Sequence, residues 1–154
     1  GIGDGRGLAA ALALGAQVVG SDAATVEALW AIGATIGEAT QIRADVTTLW
    51  DSTSNPAGRV LNKSKLHPVV HILETGTLAQ KREIGGIYFK RVMEAADVEH
   101  LAEVLAAADA RDASEARITE LTTEAQAQIA QLALTPETAA RWAQIVAGLI
   151  GQRR

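Results

Sequence analysis

Apolar residues along this chain recur mainly at three- and four-residue spacing, and the elements they predict are mostly helices. Leu8 to Leu14 is apolar at every position, which predicts a short buried helix over about 7–14, with Gly15 as its C-terminal stop. The pair Val18-Val19 after Gln17 predicts a short strand ending at Gly20-Ser21. Val26, Leu29, Trp30, Gly33, Ile36 and Gly37 form one stripe, predicting a long helix from Asp22 to about Ile42, capped by Ser21 or Asp22. Asp45 to Trp50 is rich in β-branched and aromatic residues and is the best candidate for a second strand.

Further on, Ile84, Ile87, Tyr88 and Val92 face away from Lys81, Arg82, Lys90 and Arg91, and Gly85-Gly86 weakens or splits that helix. Val98, Leu101, Val104, Leu105 and Ala108 predict another helix, broken at Asp109 to Asp112. Ser114 or Asp112 then caps a helix with Ile118, Leu121, Ala125, Ile129 and Leu132 on one side. Thr135-Pro136-Glu137 combines a cap, a proline at the first position and an acid at the positive end of the helix dipole. It starts a last helix with Trp142, Ile145, Val146, Leu149 and Ile150 inward, Gly151 at its end and Arg153-Arg154 beyond.

Asp51 to Lys65 is the longest polar, turn-rich stretch, with a turn at Asn55-Pro56 and a solvated basic run after it. It divides the chain into residues 1–50, a connector over 51–72 and a helical region over 73–154, within one compact domain by size. The 154 residues are 48% hydrophobic against 21% charged, as in a globular protein, and only 3% aromatic, so alanine and aliphatic side chains must do most of the packing. A net charge of −4 argues against a nucleic-acid partner. There is no cysteine, no leader-like segment and no apolar run of about eighteen residues, which leads to an expectation of a cytoplasmic protein with no membrane partner.

Candidate chemistry is sparse. Gly1, Gly3, Gly5 and Gly7 allow close backbone approach to a bound group, and the helix after them aims free N–H groups at an anion. His67, His71 and Glu74 share a helical face, but Pro68 confines that helix to starting there, and three ligands make an incomplete set, so no metal is assigned. No nucleophile, base and carboxylate stand in a readable arrangement, and no catalytic residue is assigned.

The opening GIGDGRGLAAALALGAQVV resembles a segment of the nitronate monooxygenases and related flavin-type enoyl-acyl-carrier-protein reductases. Similar stretches follow at Asn55 to Asn62, Leu73 to Glu99 and Gln144 to Ile150, in that family's order. The resemblance implies an α/β fold: the C-terminal portion of an FMN-binding TIM barrel with a helical tail. It implies FMN as cofactor, with Gly1, Gly3, Gly20 and Ser21 at its phosphate and Gln144 beside the flavin, although Ala143 replaces the family's glycine there. The family's catalytic histidine comes from earlier strands than this segment covers, and a full barrel needs about 250 residues. The resemblance therefore describes a truncated oxidoreductase whose site another chain would complete. The alternative is an all-α bundle, a non-enzymatic interaction or scaffold protein whose Ala-rich helices self-associate as a homo-oligomer.

Overall fold

A computed structural model of the chain describes residues 5–50 and 60–151. The helices are α1 (Gly5–Val18), α2 (Ala23–Trp50), α3 (His67–Thr75), α4 (Leu78–Phe89), α5 (Ala95–Ala107), α6 (Ala110–Gln131) and α7 (Pro136–Gly151). Among the described residues there is no strand. The all-helical alternative thus holds, and the barrel fragment does not.

Both expected strands are helical for identifiable reasons. Val18 and Val19 are 86% and 78% exposed, with no partner strand to favour an extended backbone, so the Ala-rich helix runs on through Val18. In Asp45 to Trp50 the buried positions are Asp45, Val46 and Leu49, of which Val46 and Leu49 continue Ile42 at spacings of four and three. That is the helical period, and burial on one side of α2 outweighs β-propensity. Thr48 even donates its hydroxyl back to the Ala44 carbonyl at 2.8 Å, as helical threonines do.

The end of α1 also moves. Gly15 lies within the helix with nothing within 4 Å of where a Cβ would stand, while Gly20 has φ of +76°. The Ser21 N–H reaches the Ala16 carbonyl and the Gly20 N–H reaches that of Gln17, both at 3.0 Å. This is the Schellman pattern, with glycine in the left-handed position it requires. Asp22 then starts α2 by accepting the Thr25 N–H at 2.7 Å.

The chain divides into two compact units, cut within α2 and α6 rather than in the turns. One comprises residues 1–43 and 117–154. Here α1 lays its alanine stripe, Ala9, Ala13 and Ala16, against α2, and a Cβ on Gly33 would stand 2.6 Å from the Ala9 Cα. Small residues on both helices permit this close approach. Ile32, Ile36, Ile118, Leu121, Val146 and Ile150 are among its buried aliphatic residues, and Arg117 binds Glu38 at 2.9 Å. On α7 the burial is narrower than the sequence suggests, since Ile145 and Leu149 are exposed.

The other unit comprises residues 44–116 and is built on α3, α4 and α5 packed together. Its core joins Leu49, Val69, Ile72, Ile84, Ile87, Leu101 and Leu105. Helix α4 passes through Gly85-Gly86 unbroken, because Ile84 and Ile87 on either side are buried and Thr77 with Gln80 forms a capping box. At the end of α5 the chain turns through Asp109, which has φ of +55°, and α6 starts at once at Ala110. Ser114 is therefore inside α6, not its cap.

Two helix-start carboxylates predict an acid response. The Thr25 N–H holds the Asp22 carboxyl below its ordinary value, and the Glu94 N–H followed by the Lys90 ammonium does the same for Asp97. Depressed folded-state values stabilise the fold fully above the unfolded value near pH 4 and lose that contribution as pH falls through the folded values below it. Thermal midpoints measured from pH 7 down to about 3 should fall less in Asp22→Asn/Asp97→Asn than in the parent. Equal falls would clear these two groups of any part in acid unfolding.

Candidate functional site

Within the first unit, α1 and the start of α2 border an open groove of about 670 Å³. From α1 come Ala10, Ala13, Leu14 and Gln17, and from α2 come Ala23, Val26, Glu27 and Trp30, with Ser21 in the turn between them. Each set follows helical same-face spacing, so one face of each helix lines the groove. The alanines provide the width. Leu14 and Trp30 are 60% and 46% exposed, large apolar side chains left open to a ligand. Such a volume falls in the range of small-molecule sites, and the lining suits hydrocarbon. Among the described residues Glu27 is the one ionisable side chain in the lining, and a carboxylate repels an anionic group.

The second unit holds a buried polar cluster built on Asp45, His67 and Ser114. Asp45, 3% exposed, accepts the backbone N–H of His67 at 2.9 Å and so serves the first turn of α3. Ser114 is fully buried and donates its hydroxyl to the Ala110 carbonyl at 2.7 Å. Its oxygen is thus left to accept the Nδ1–H of His67 at 3.0 Å. In a nucleophilic triad the hydroxyl would give its proton to the ring. Here that proton goes to the Ala110 carbonyl instead. His71 stacks on His67 with ring centres 6.3 Å apart. Burial, and then the Asp45 charge, push the Tyr88 hydroxyl above its ordinary value. The cluster ties α2, α3 and α6 together.

Of the described residues assigned to a cofactor from sequence, Ser21 alone lines the groove. Gly20 beside it serves as the helix stop, Gln144 is exposed on α7 and away from the groove lining, and Gly1 and Gly3 lie outside the described residues. The stretch from Asn55 to Asn62 that also carried the resemblance lies mostly outside them too. Sequence reasoning missed Ala10, Ala13, Leu14, Val26 and Trp30. Their signal was available: two runs at three-four spacing flanking one turn, with a tryptophan in an aromatic-poor chain.

No protein-family model and no curated protein matches the chain. Solved structures do. Geranylgeranyl pyrophosphate synthase from Corynebacterium glutamicum, complexed with calcium and isoprenyl diphosphate, superposes with a TM-score of 0.79 at 22% identity, over 96% of this chain and 46% of that one. Heptaprenyl diphosphate synthase from Staphylococcus aureus gives 0.80 at 21%, over 96% and 46%. Decaprenyl diphosphate synthase from Rhodobacter capsulatus gives 0.79 at 17%, again over 96% and 46%. The chain shares the helical fold of these synthases. It spans about half the length of each.

This likeness overturns the nitronate monooxygenase resemblance and, with it, FMN and the flavoprotein oxidoreductase; the helical fold is that of the alternative, whose scaffold role has no observation behind it. The physical source of the error is the opening motif: an Ala/Leu run after glycines satisfies a barrel segment and a bundle helix equally well. Calcium, named with the Corynebacterium synthase, finds no matching donor set here: among the described residues no three His, Asp or Glu side chains come together to hold a metal ion. Among the same residues, no helix is long and apolar enough to cross a membrane.

Proposed function

We propose that this chain binds the hydrocarbon of an isoprenoid in the groove between α1 and α2. The observation that carries this reading is an apolar groove of about 670 Å³ in a fold shared with proteins that handle isoprenyl diphosphates. Glu27 makes the groove a place for the chain rather than for a diphosphate. Transfer chemistry belongs to the whole-length synthases and is not assigned to this chain's residues.

Trp30 in the groove wall reports the test. Titration with farnesol should shift tryptophan emission, and Trp30→Phe should remove the shift while Trp50 and Trp142 remain. Burial is worth about 0.8 kcal/mol per methylene and about half of that in an open groove. Geraniol, five carbons shorter, should then bind roughly thirtyfold more weakly, a difference of about 2 kcal/mol. Ala10→Phe should fill the groove and weaken farnesol at least about tenfold. Farnesol that leaves emission unchanged, or binds Ala10→Phe as well as the parent, sinks the reading.

Self-association is a further proposal. It is favoured by Leu14, Val18, Ile145 and Leu149, large apolar residues exposed within the first unit. Light scattering should find more than one chain per particle, and a monomer at working concentration would refute it.

A further inference from the structure

The second unit carries an exposed apolar and basic apex that neither the groove nor the polar cluster uses. Phe89, the single phenylalanine of the chain, ends α4 with 91% of its surface exposed, and Val92 in the following turn is 72% exposed. Exposed apolar residues scattered singly are ordinary. These two are three apart on one short connection, and Met93 after them is buried, which anchors the turn. The turn at 62–65 lies against it, because Lys63 donates its ammonium to the Lys90 carbonyl and Tyr88 its hydroxyl to the Ser64 carbonyl at 3.2 Å.

Two turns thus meet and bring Lys63, Lys65, Lys90 and Arg91, all exposed, around Phe89 and Val92. Lys90 is paired with Asp97. Glu94 is the other carboxylate on this connection, which leaves three cations against one anion in a chain of net charge −4. Positive charge is concentrated here against the overall balance. An aromatic and an aliphatic side chain pointing out between lysine and arginine match the boundary of an anionic bilayer, where rings enter the acyl edge and cations meet phosphates. An acidic protein surface would satisfy the cations and leave Phe89 and Val92 in water.

We propose that this apex, formed by residues 62–65 and 89–92, docks the protein peripherally on anionic lipid bilayers. The expectation of no membrane partner addressed spanning segments, and a peripheral contact needs none. The proposal stands independently of isoprenoid binding in the groove.

The test is co-sedimentation of the full chain with phosphatidylcholine vesicles, with and without about one third phosphatidylglycerol. Binding should require the anionic lipid and fall at least about fivefold when salt is raised to about 0.5 M. Phe89→Ser/Val92→Ser and, separately, Lys65→Glu/Arg91→Glu should each reduce the bound fraction at least about fivefold. All four side chains are exposed, so the thermal midpoint should hold, and Leu78→Ser, exposed at the other end of α4, serves as the control that keeps binding. Failure to bind anionic vesicles overturns the proposal, as does binding indifferent to both double variants. It is equally overturned if Phe89→Ser/Val92→Ser converts an oligomer to a monomer, which would make the apex a self-interface, or if single-stranded oligonucleotide binds as tightly and loses binding with the same variants.

Discussion

Gly33→Val should destabilise the first unit by about 3 kcal/mol, the upper part of the range for overpacking. A Cβ at this position would lie 2.6 Å from the Ala9 Cα and 2.8 Å from the Ala9 nitrogen. These are backbone atoms of α1, so no rotamer change relieves the clash and the whole helix must withdraw. Replacing glycine within a helix gains up to about 1 kcal/mol in propensity, which offsets only part of that loss. Withdrawal of α1 also alters the groove, whose walls are α1 and α2, so Gly33→Val should weaken farnesol binding about tenfold or more. Gly15→Ala provides the contrast. Nothing lies within 4 Å of its Cβ position, and the change should stabilise the chain by up to about 1 kcal/mol. Denaturant melts of the three proteins check both signs, and a Gly33→Val chain as stable as the parent would mean that α1 and α2 do not pack closely there.

Asp45→Ala should cost about 2 kcal/mol in the second unit. The carboxylate is almost fully buried and accepts the His67 N–H, one of the first-turn donors of α3 that the helix itself cannot satisfy. Pro68 follows at once and brings no N–H of its own, so the His67 donor is one of the few this turn must satisfy from outside the helix. Removing the acceptor loses a cap worth about 0.5–2 kcal/mol and leaves a part-buried donor unsatisfied. Asp45→Asn retains an oxygen in the same place and should recover more than half of the loss. Urea melts separate the cases. Equal losses in both variants would place the effect in the charge rather than in the cap, and no loss in either would remove the cluster from the account of what holds α2 to α3.

Much of the helical framework was legible in the sequence because it rests on local chemistry. Thr135-Pro136 starts α7, Asp22 caps α2, and the stripe from Ile118 to Ile129 is buried as its spacing says. Two of the errors share one cause, burial, whereas at Gln17 to Val19 an exposed helix end runs on with no partner strand among the described residues. Gln17 to Val19 and Asp45 to Trp50 have residues that suit a strand, and Gly85-Gly86 has residues that break a helix, yet each follows its neighbours in the packed structure. Local preferences of about 1 kcal/mol per residue lose to the burial of Val46, Leu49, Ile84 and Ile87, each worth about 1.5–3 kcal/mol. The groove was not legible as a site, because no single residue in it has distinctive chemistry. It exists through the distance between two helices.

The sequence by itself determined where α2 and α7 begin and most of the apolar stripes, since caps, prolines and three-four spacing act within a few residues. It could not say that Gly33 is where α1 meets α2, that Gly20 rather than Gly15 ends α1, or that Asp45, His67 and Ser114 come together. Those outcomes depend on contacts between residues as far apart as Ala9 and Gly33 or His67 and Ser114. Tertiary structure alone decided them, because the free energy of a close helix crossing or a buried polar tie resides in the partner, which the local sequence does not name.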